Sequence, residues 1–140
     1  FGFDDALYGA LRLLEIYIEA LRNGKCKKFS DLLGGVTDLF ATPEIRFPCE
    51  EKGKFHLADM FADALGKHMK SASDPAVLEI IDIDGVRARF EEGWGLLRAS
   101  NTQPVLVMRF EGSDAEKVEL YQNFFNKLLE KVSLELKANI

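Results

Sequence analysis

Residues 93 to 112 read GWGLLRASNTQPVLVMRFEG. Two strand-like runs, WGLLRAS and PVLVMRFE, flank the connection RASNTQP, which gathers an arginine, three small hydrogen-bonding side chains and a proline. Two antiparallel strands need no more than a two-residue turn between them, so this concentration of donors asks for its own account. A phosphate monoester is gripped by a planar guanidinium, and its other lone pairs are satisfied by hydroxyls, amides and backbone N–H groups free of ladder bonds. RASNTQP supplies each of these. Arg98 stands where the strand ends and reaches over the loop; Ser100 and Thr102 offer hydroxyls; Asn101 offers an amide and tolerates left-handed backbone; Pro104 stiffens the exit. The same residue types also form turns by bonding their own backbone, with Arg98 merely solvating a sheet edge. Chemistry alone leaves both readings open.

Working outward, VLEIIDI leads into Asp84-Gly85, a dipeptide suited to the positive φ angles of a tight hairpin turn, and VRARF then alternates Val86, Ala88 and Phe90 against Arg87 and Arg89. Glu92-Gly93 marks a second turn. Upstream, IRFPCEE reads as a short strand demoted to an edge by Pro48, which cannot donate to a ladder. Leu57, Met60, Phe61, Ala64, Leu65 and His68 recur at helical spacing over about residues 55 to 70. A last helix carries Val118, Tyr121, Phe125, Leu128, Leu129, Val132 and Leu136, with Ser113 and Glu116 forming a capping box. Hairpin-linked strands with helices before and after predict an α+β fold, an antiparallel sheet of four to five strands with helices on one face.

Before this stands a separate amphipathic helix over about residues 5 to 23, with Leu7, Ala10, Leu11, Leu14, Tyr17, Ile18 and Leu21 on one stripe, Asp4 as N-cap and Gly24 as stop. Residues 24 to 41, interrupted by Gly34-Gly35, read as a linker with at most one short helix. The start lacks Met and runs at once into a helix, as though the chain continued a longer one.

Among 140 residues, 47% are hydrophobic and 29% charged, the balance of a soluble globular protein able to bury a core. A net charge of -5 repels nucleic acid and anionic lipid, so any anion site must be local. Arg87, Arg89, Arg98 and Arg109 all lie between residues 86 and 110. A nucleic-acid role would want exposed aromatics between basic residues, whereas Phe90 and Phe110 fall on the apolar phase of their strands. Cys26 and Cys49 make no metal-like spacing, which fits a reduced, cytoplasmic setting, and no run is long and apolar enough for a membrane span. His56 and His68, twelve residues apart, point about 120° from one another on a helix and are read as packing or surface residues. Asp82, Asp84, Glu91 and Glu92 are read as turn carboxylates, and Trp94 as core or sheet edge rather than a ligand-site floor.

Taken as a whole, DGVRARFEEGWGLLRASNTQPVLVMRFEG resembles the C-terminal domain of the α-D-phosphohexomutases, most closely the bacterial phosphomannomutase/phosphoglucomutase members. FGFDDALYGALRLLEI is similar to the segment closing that family's third domain, and ATPEIR to its hinge into the fourth. The resemblance implies that residues 1–41 are the end of a preceding domain plus hinge linker, and 42–140 a TATA-binding-protein-like C-terminal phosphate-binding domain. It implies an intramolecular phosphotransferase acting on a hexose phosphate: a phosphoserine in the first domain donates its phosphoryl group, the bisphosphorylated sugar turns over, and Mg²⁺ assists. The fourth domain closes over the site and holds the non-reacting phosphate through Arg98, Ser100, Asn101 and Thr102, with main-chain help near Gln103. The serine and metal loops lie outside this chain, so the chain by itself is expected to hold no Mg²⁺, contain no catalytic residue and be inactive. Its upstream domains are expected partners, and the first helix, orphaned here, is expected to promote self-association. Asn101 leans toward phosphomannomutase-like members; a phosphoglucosamine mutase domain, or a non-catalytic α+β binding module, are the alternatives.

Overall fold

A computed structural model describes residues 5–35 and 38–138, arranged as two compact units, Phe1–Thr37 and Asp38–Ile140. In the first, α1 (Ala6–Arg22) begins where the Asp5 carboxylate accepts the N–H of Tyr8 at 2.9 Å. Asp4, the expected cap, lies outside the described residues. No residue of α1 is buried, and Leu7, Leu11, Leu14 and Ile18 are exposed. A single short 3-10 turn, Phe29–Leu33, follows, with Phe29 set edge-on against Tyr17 at 5.1 Å.

The second unit contains β1 (Phe40–Ala41), β2 (Ile45–Pro48), α2 (Lys54–Lys70), β3 (Glu79–Ile81), β4 (Val86–Phe90), β5 (Gly93–Ala99), β6 (Val105–Gly112) and α3 (Ala115–Ala138). The strands form one antiparallel sheet in the order β1-β6-β5-β4-β3, with β2 also pairing along β6. The expected α+β class is therefore observed. Its sheet has six strands because the two-residue β1 joins β6 through Phe40↔Gly112 and Ala41↔Glu111; so short a strand carries no alternation that could be read beforehand. β2 pairs only with β6, the edge position that its proline requires.

Alternation divides the sheet into two faces. Val86, Ala88, Phe90, Leu97, Ala99, Leu106, Met108 and Phe110 are buried and meet Leu57, Phe61 and Leu65 of α2 and Val118, Tyr121, Phe125, Leu129 and Val132 of α3. Phe125 is central: its ring lies 5.0 Å from Phe61 and 5.1 Å from Phe110, while Phe90 stacks on Tyr121 at 4.0 Å. Each such aromatic pair adds about 0.5–1.5 kcal/mol beyond burial. Gly93 is required by this closeness, because a Cβ there would collide with the Glu111 carbonyl and the Tyr121 ring.

The last helix starts one residue later than the capping-box reading. Asp114, not Ser113, is the cap: its carboxylate accepts the Lys117 N–H at 2.8 Å, and Ser113 Oγ donates to Asp114 instead. Aspartate at the cap answers the exposed N–H groups and the positive helix end together, which displaces serine from the role.

Candidate functional site

The uncovered face of the sheet is tiled. In register across β2, β6 and β5 run Arg46, Val107 and Arg98; across β6, β5 and β4 run Arg109, Leu96 and Arg87, and then Glu111, Trp94 and Arg89. Each apolar side chain thus has charged neighbours on both sides, and Val107 is buried although α2 and α3 both pack on the other face. Arg87 lies over the Trp94 ring at 4.3 Å, so Trp94 is a platform on the open face rather than core. Arg89 pairs with Glu79 at 2.9 Å and Arg109 with Glu111 at 3.0 Å. These exposed pairs order the arginines more than they stabilise the fold.

Arg98 ends the first row, one residue before β5 gives way to the loop. Its partner is Asp84 of the neighbouring turn, Nη1 to Oδ2 at 3.5 Å, a long contact between exposed groups. The turn is as the sequence predicts, with φ of 52° at Asp84 and 106° at Gly85. Glycine is obligatory here for a second reason: a Cβ on Gly85 would stand 2.5 Å from the Leu97 carbonyl oxygen and 2.6 Å from Arg98 Cβ. The turn therefore presses against the base of Arg98. Asp84 is more than a solvated turn carboxylate, since it steadies that guanidinium without neutralising it in a tight bidentate pair.

The loop has a defined internal shape. Ser100 N–H donates to the Val105 carbonyl at 3.0 Å and Val105 N–H to the Gln103 carbonyl at 2.8 Å. Ser100 Oγ accepts from the N–H of Gln103 at 3.2 Å and, more weakly, from that of Thr102 at 3.4 Å. The serine hydroxyl is thus an acceptor inward and keeps its own proton for an outside acceptor. Asn101, Thr102 and Gln103 are exposed. All five expected residues, Arg98, Ser100, Asn101, Thr102 and Gln103, accordingly share one end of the sheet.

Two further residues hold this loop and were not singled out from the sequence. Arg46, alternating out from the core-facing Ile45 and Phe47, donates from Nη1 to Gln103 Oε1 at 3.0 Å. Lys54, the first residue of α2, donates from Nζ to the Gln103 carbonyl at 3.2 Å and to Glu51 Oε1 at 2.6 Å. The alternation of IRFP was a usable signal for Arg46. Nothing local marked Lys54, because a lysine at a helix start ordinarily points into water. The histidines are elsewhere: His68 Nε2 lies 3.0 Å from the Pro75 carbonyl and its ring rests against Phe124 at 4.4 Å, while His56 lines an open groove of about 820 Å³ that includes none of the five loop residues. Cys26 and Cys49 are free thiols, and burial pushes the Cys49 thiol up. Among the described residues no group of three or more His, Cys, Asp or Glu is placed to hold a metal ion, and no helix is long and apolar enough to cross a membrane.

A six-stranded antiparallel sheet with helices on one face, and a donor-rich loop closing its central hairpin, define the class to which this chain compares. Residues 44–128 match the family model for the phosphoglucomutase/phosphomannomutase C-terminal domain. The chain is 38% identical over 130 residues to a phosphoglucomutase of Neisseria meningitidis serogroup B, covering 93% of this chain and 26% of that protein. It is 38% identical over 136 residues to a phosphomannomutase/phosphoglucomutase of Pseudomonas syringae pv. tomato, covering 97% of this chain and 26% of that protein. Among solved structures, a phosphoglucomutase/phosphomannomutase family protein from Burkholderia thailandensis superposes with a TM-score of 0.67 at 30% identity, covering 95% of this chain and 25% of that one. The chain belongs to the phosphoglucomutase/phosphomannomutase family and carries its C-terminal domain; it spans about a quarter of the length of the curated relatives it matches.

Proposed function

We propose that the loop 98–104 is the phosphate clamp of a phosphohexomutase, holding the phosphate of a hexose phosphate that is not reacting while the domain closes over the site. The observation that carries this reading is Arg98 itself: a guanidinium at a strand end, steadied by Asp84 only at 3.5 Å, beside a loop whose half-buried Ser100 and exposed Thr102 and Asn101 carry donors open to an acceptor from solvent. A dianion supplies that acceptor, and it competes well with one exposed carboxylate held at 3.5 Å, because it brings a second negative charge and oxygens enough for a bidentate grip. Ser100 and Thr102 donate hydroxyl protons, Asn101 its amide and Gln103 main-chain support. Such a grip reads the phosphate and not the sugar carbon bearing it, which is what a mutase that binds its substrate in two orientations requires.

In this reading, residues 1–41 end a preceding domain and form the hinge, residues 42–140 are the closing domain, and the upstream domains of the same chain bring the serine that exchanges phosphoryl groups. Mg²⁺, which neutralises charge developing on a transferring phosphoryl group, would belong to that upstream part; the described residues do not fit it. The chain alone is therefore expected to bind phosphate only weakly and not to turn over. The two free thiols fit a cytoplasmic setting. The test is a titration of the ¹⁵N-labelled chain with glucose 1-phosphate. Amide shifts centred on residues 98–103 and weakened in Arg98→Ala are expected; an unchanged spectrum in that loop would contradict the assignment.

A further inference from the structure

Lys54 is 1% exposed, the one charged residue in the buried set among the described residues, and it opens α2. Both facts run against ordinary energetics. A buried ammonium loses its hydration, and a cation at a helix start faces the positive end of the helix macrodipole. What compensates is the ion pair to Glu51, whose own side chain is 62% exposed, and the bond to the Gln103 carbonyl. A lysine set there only to stabilise the helix would be better replaced by an apolar residue of similar volume. Its position makes sense through what it holds.

We infer that Lys54 is a positioning residue for the clamp, an inference that rests on the proposed reading of loop 98–104. By drawing the Gln103 carbonyl toward α2, Lys54 turns the one acceptor of that peptide away from where an anion would sit. The chain is fixed at this point from three directions: Lys54 Nζ on the Gln103 carbonyl at 3.2 Å, Val105 N–H on the same oxygen at 2.8 Å, and Cys49 N–H on the Pro104 carbonyl at 3.0 Å. The N–H groups of Thr102 and Gln103 are left with Ser100 Oγ at 3.4 and 3.2 Å, weak bonds that an anion can share or replace. The positive charge also lies beneath the loop, where burial shields it from the salt screening that weakens exposed cations. Glu51 opposes that charge from the solvent side.

This arrangement gives two substitutions opposite signs. In the full 140-residue chain, titrated with inorganic phosphate and followed by the amides of residues 98–103, Lys54→Met is expected to raise Kd about three- to tenfold, the worth of one loop-holding bond. It is also expected to speed hydrogen exchange at Thr102 and Gln103. Glu51→Gln removes the opposing carboxylate, so it is expected to lower Kd about twofold while lowering stability. A lysine that serves only the fold would make both variants bind worse in step with their loss of stability. Glu51→Gln changes an exposed group and does not depend on the tolerance of position 54, so it decides the matter if Lys54→Met does not fold. An unchanged or weakened affinity in Glu51→Gln, or a wild-type Kd in folded Lys54→Met, overturns the inference. A loop that responds to phosphate and loses the response in Arg98→Ala keeps the clamp reading whatever Lys54 does; a loop that does not respond removes both.

Discussion

The two faces of this sheet are built from alternate residues of the same strands and do opposite work. On the covered face, Val86, Leu97, Met108 and Phe110 are packed under α2 and α3 with almost no exposure. On the open face, arginines stand between Trp94, Leu96 and Val107, paired with glutamates at the surface. A one-residue shift of register would exchange the two sets completely. The covered face therefore supplies the stability, while the open face, whose pairs are worth little in water, leaves its charges available. The difference is most useful at one corner, where Arg98 leaves the open face and meets a loop anchored from below.

If this division holds, substitutions on the two faces should separate stability from binding. The largest effect is expected for Phe125→Ala, which empties the space between Phe61 and Phe110. It should cost about 3–5 kcal/mol of folding stability, read as a lowered midpoint in urea. Next comes Arg98→Ala, expected to lose about 1.5–3 kcal/mol of phosphate binding. In the proposed phosphohexomutase that is roughly one to two decades in kcat/KM, with phosphorylation of its proposed upstream serine unaffected. Its thermal midpoint should stay near wild type, since its one ionic partner among the described residues is a long contact to exposed Asp84. A large loss of stability without a loss of affinity would mean that the open face is structural after all.

Ser100→Ala is expected to fall below Arg98→Ala, at about 0.5–1.5 kcal/mol of binding, the range for a neutral hydrogen bond. The structure separates it from Thr102→Ala, for Ser100 Oγ also accepts two loop N–H groups whereas the Thr102 side chain is exposed. Ser100→Ala should thus speed amide exchange at Gln103, and Thr102→Ala should not. Equal behaviour of the two variants would sink the inward role assigned to the serine hydroxyl.

Much of this was readable from the residues, for a physical reason. Alternation along VRARF and helical spacing along α2 and α3 are local signals of burial, and Leu57, Phe61, Leu65, Val118, Tyr121, Phe125, Leu129 and Val132 lie where those periods put them. Asp84-Gly85 carries its turn in its own backbone preferences. The five proposed loop residues can be grouped from the sequence because they lie within positions 98 to 103. Lys54 and Arg46 were missed because they reach Gln103 across 49 and 57 residues of sequence, and no local pattern encodes such a contact. β1 was missed for its length, and the α3 cap because Ser113 and Asp114 are both good caps and the charge of the aspartate, answering the positive helix end, decides between them. α1 marks the same boundary: its stripe identifies an apolar face but not what covers it, and none of its residues is buried.

The smallest expected effect belongs to the start of α3, where the covered face is capped by charge. The Lys117 N–H bonded to its carboxylate, and the neighbouring Ser113, hold Asp114 below the ordinary aspartate range. Glu92, hydrogen-bonded to Lys117, raises that lysine above its own. A carboxyl with a depressed folded pKa binds fewer protons when folded than when unfolded, so its contribution is present at neutral pH and is lost as pH falls through the depressed value. A lysine with a raised pKa contributes below its ordinary value and loses that contribution as pH climbs through the raised one. Asp114→Asn keeps a side-chain oxygen for the Lys117 N–H, since asparagine caps helices about as well as aspartate. The variant should consequently match wild type closely near neutrality and show a shallower loss of stability in acid. The alkaline limb, set by Lys117 and Glu92 across the turn, should change much less. Urea midpoints measured from acid to alkaline pH for both proteins provide the check, and an identical acid limb would mean that the carboxylate's charge adds nothing to the cap.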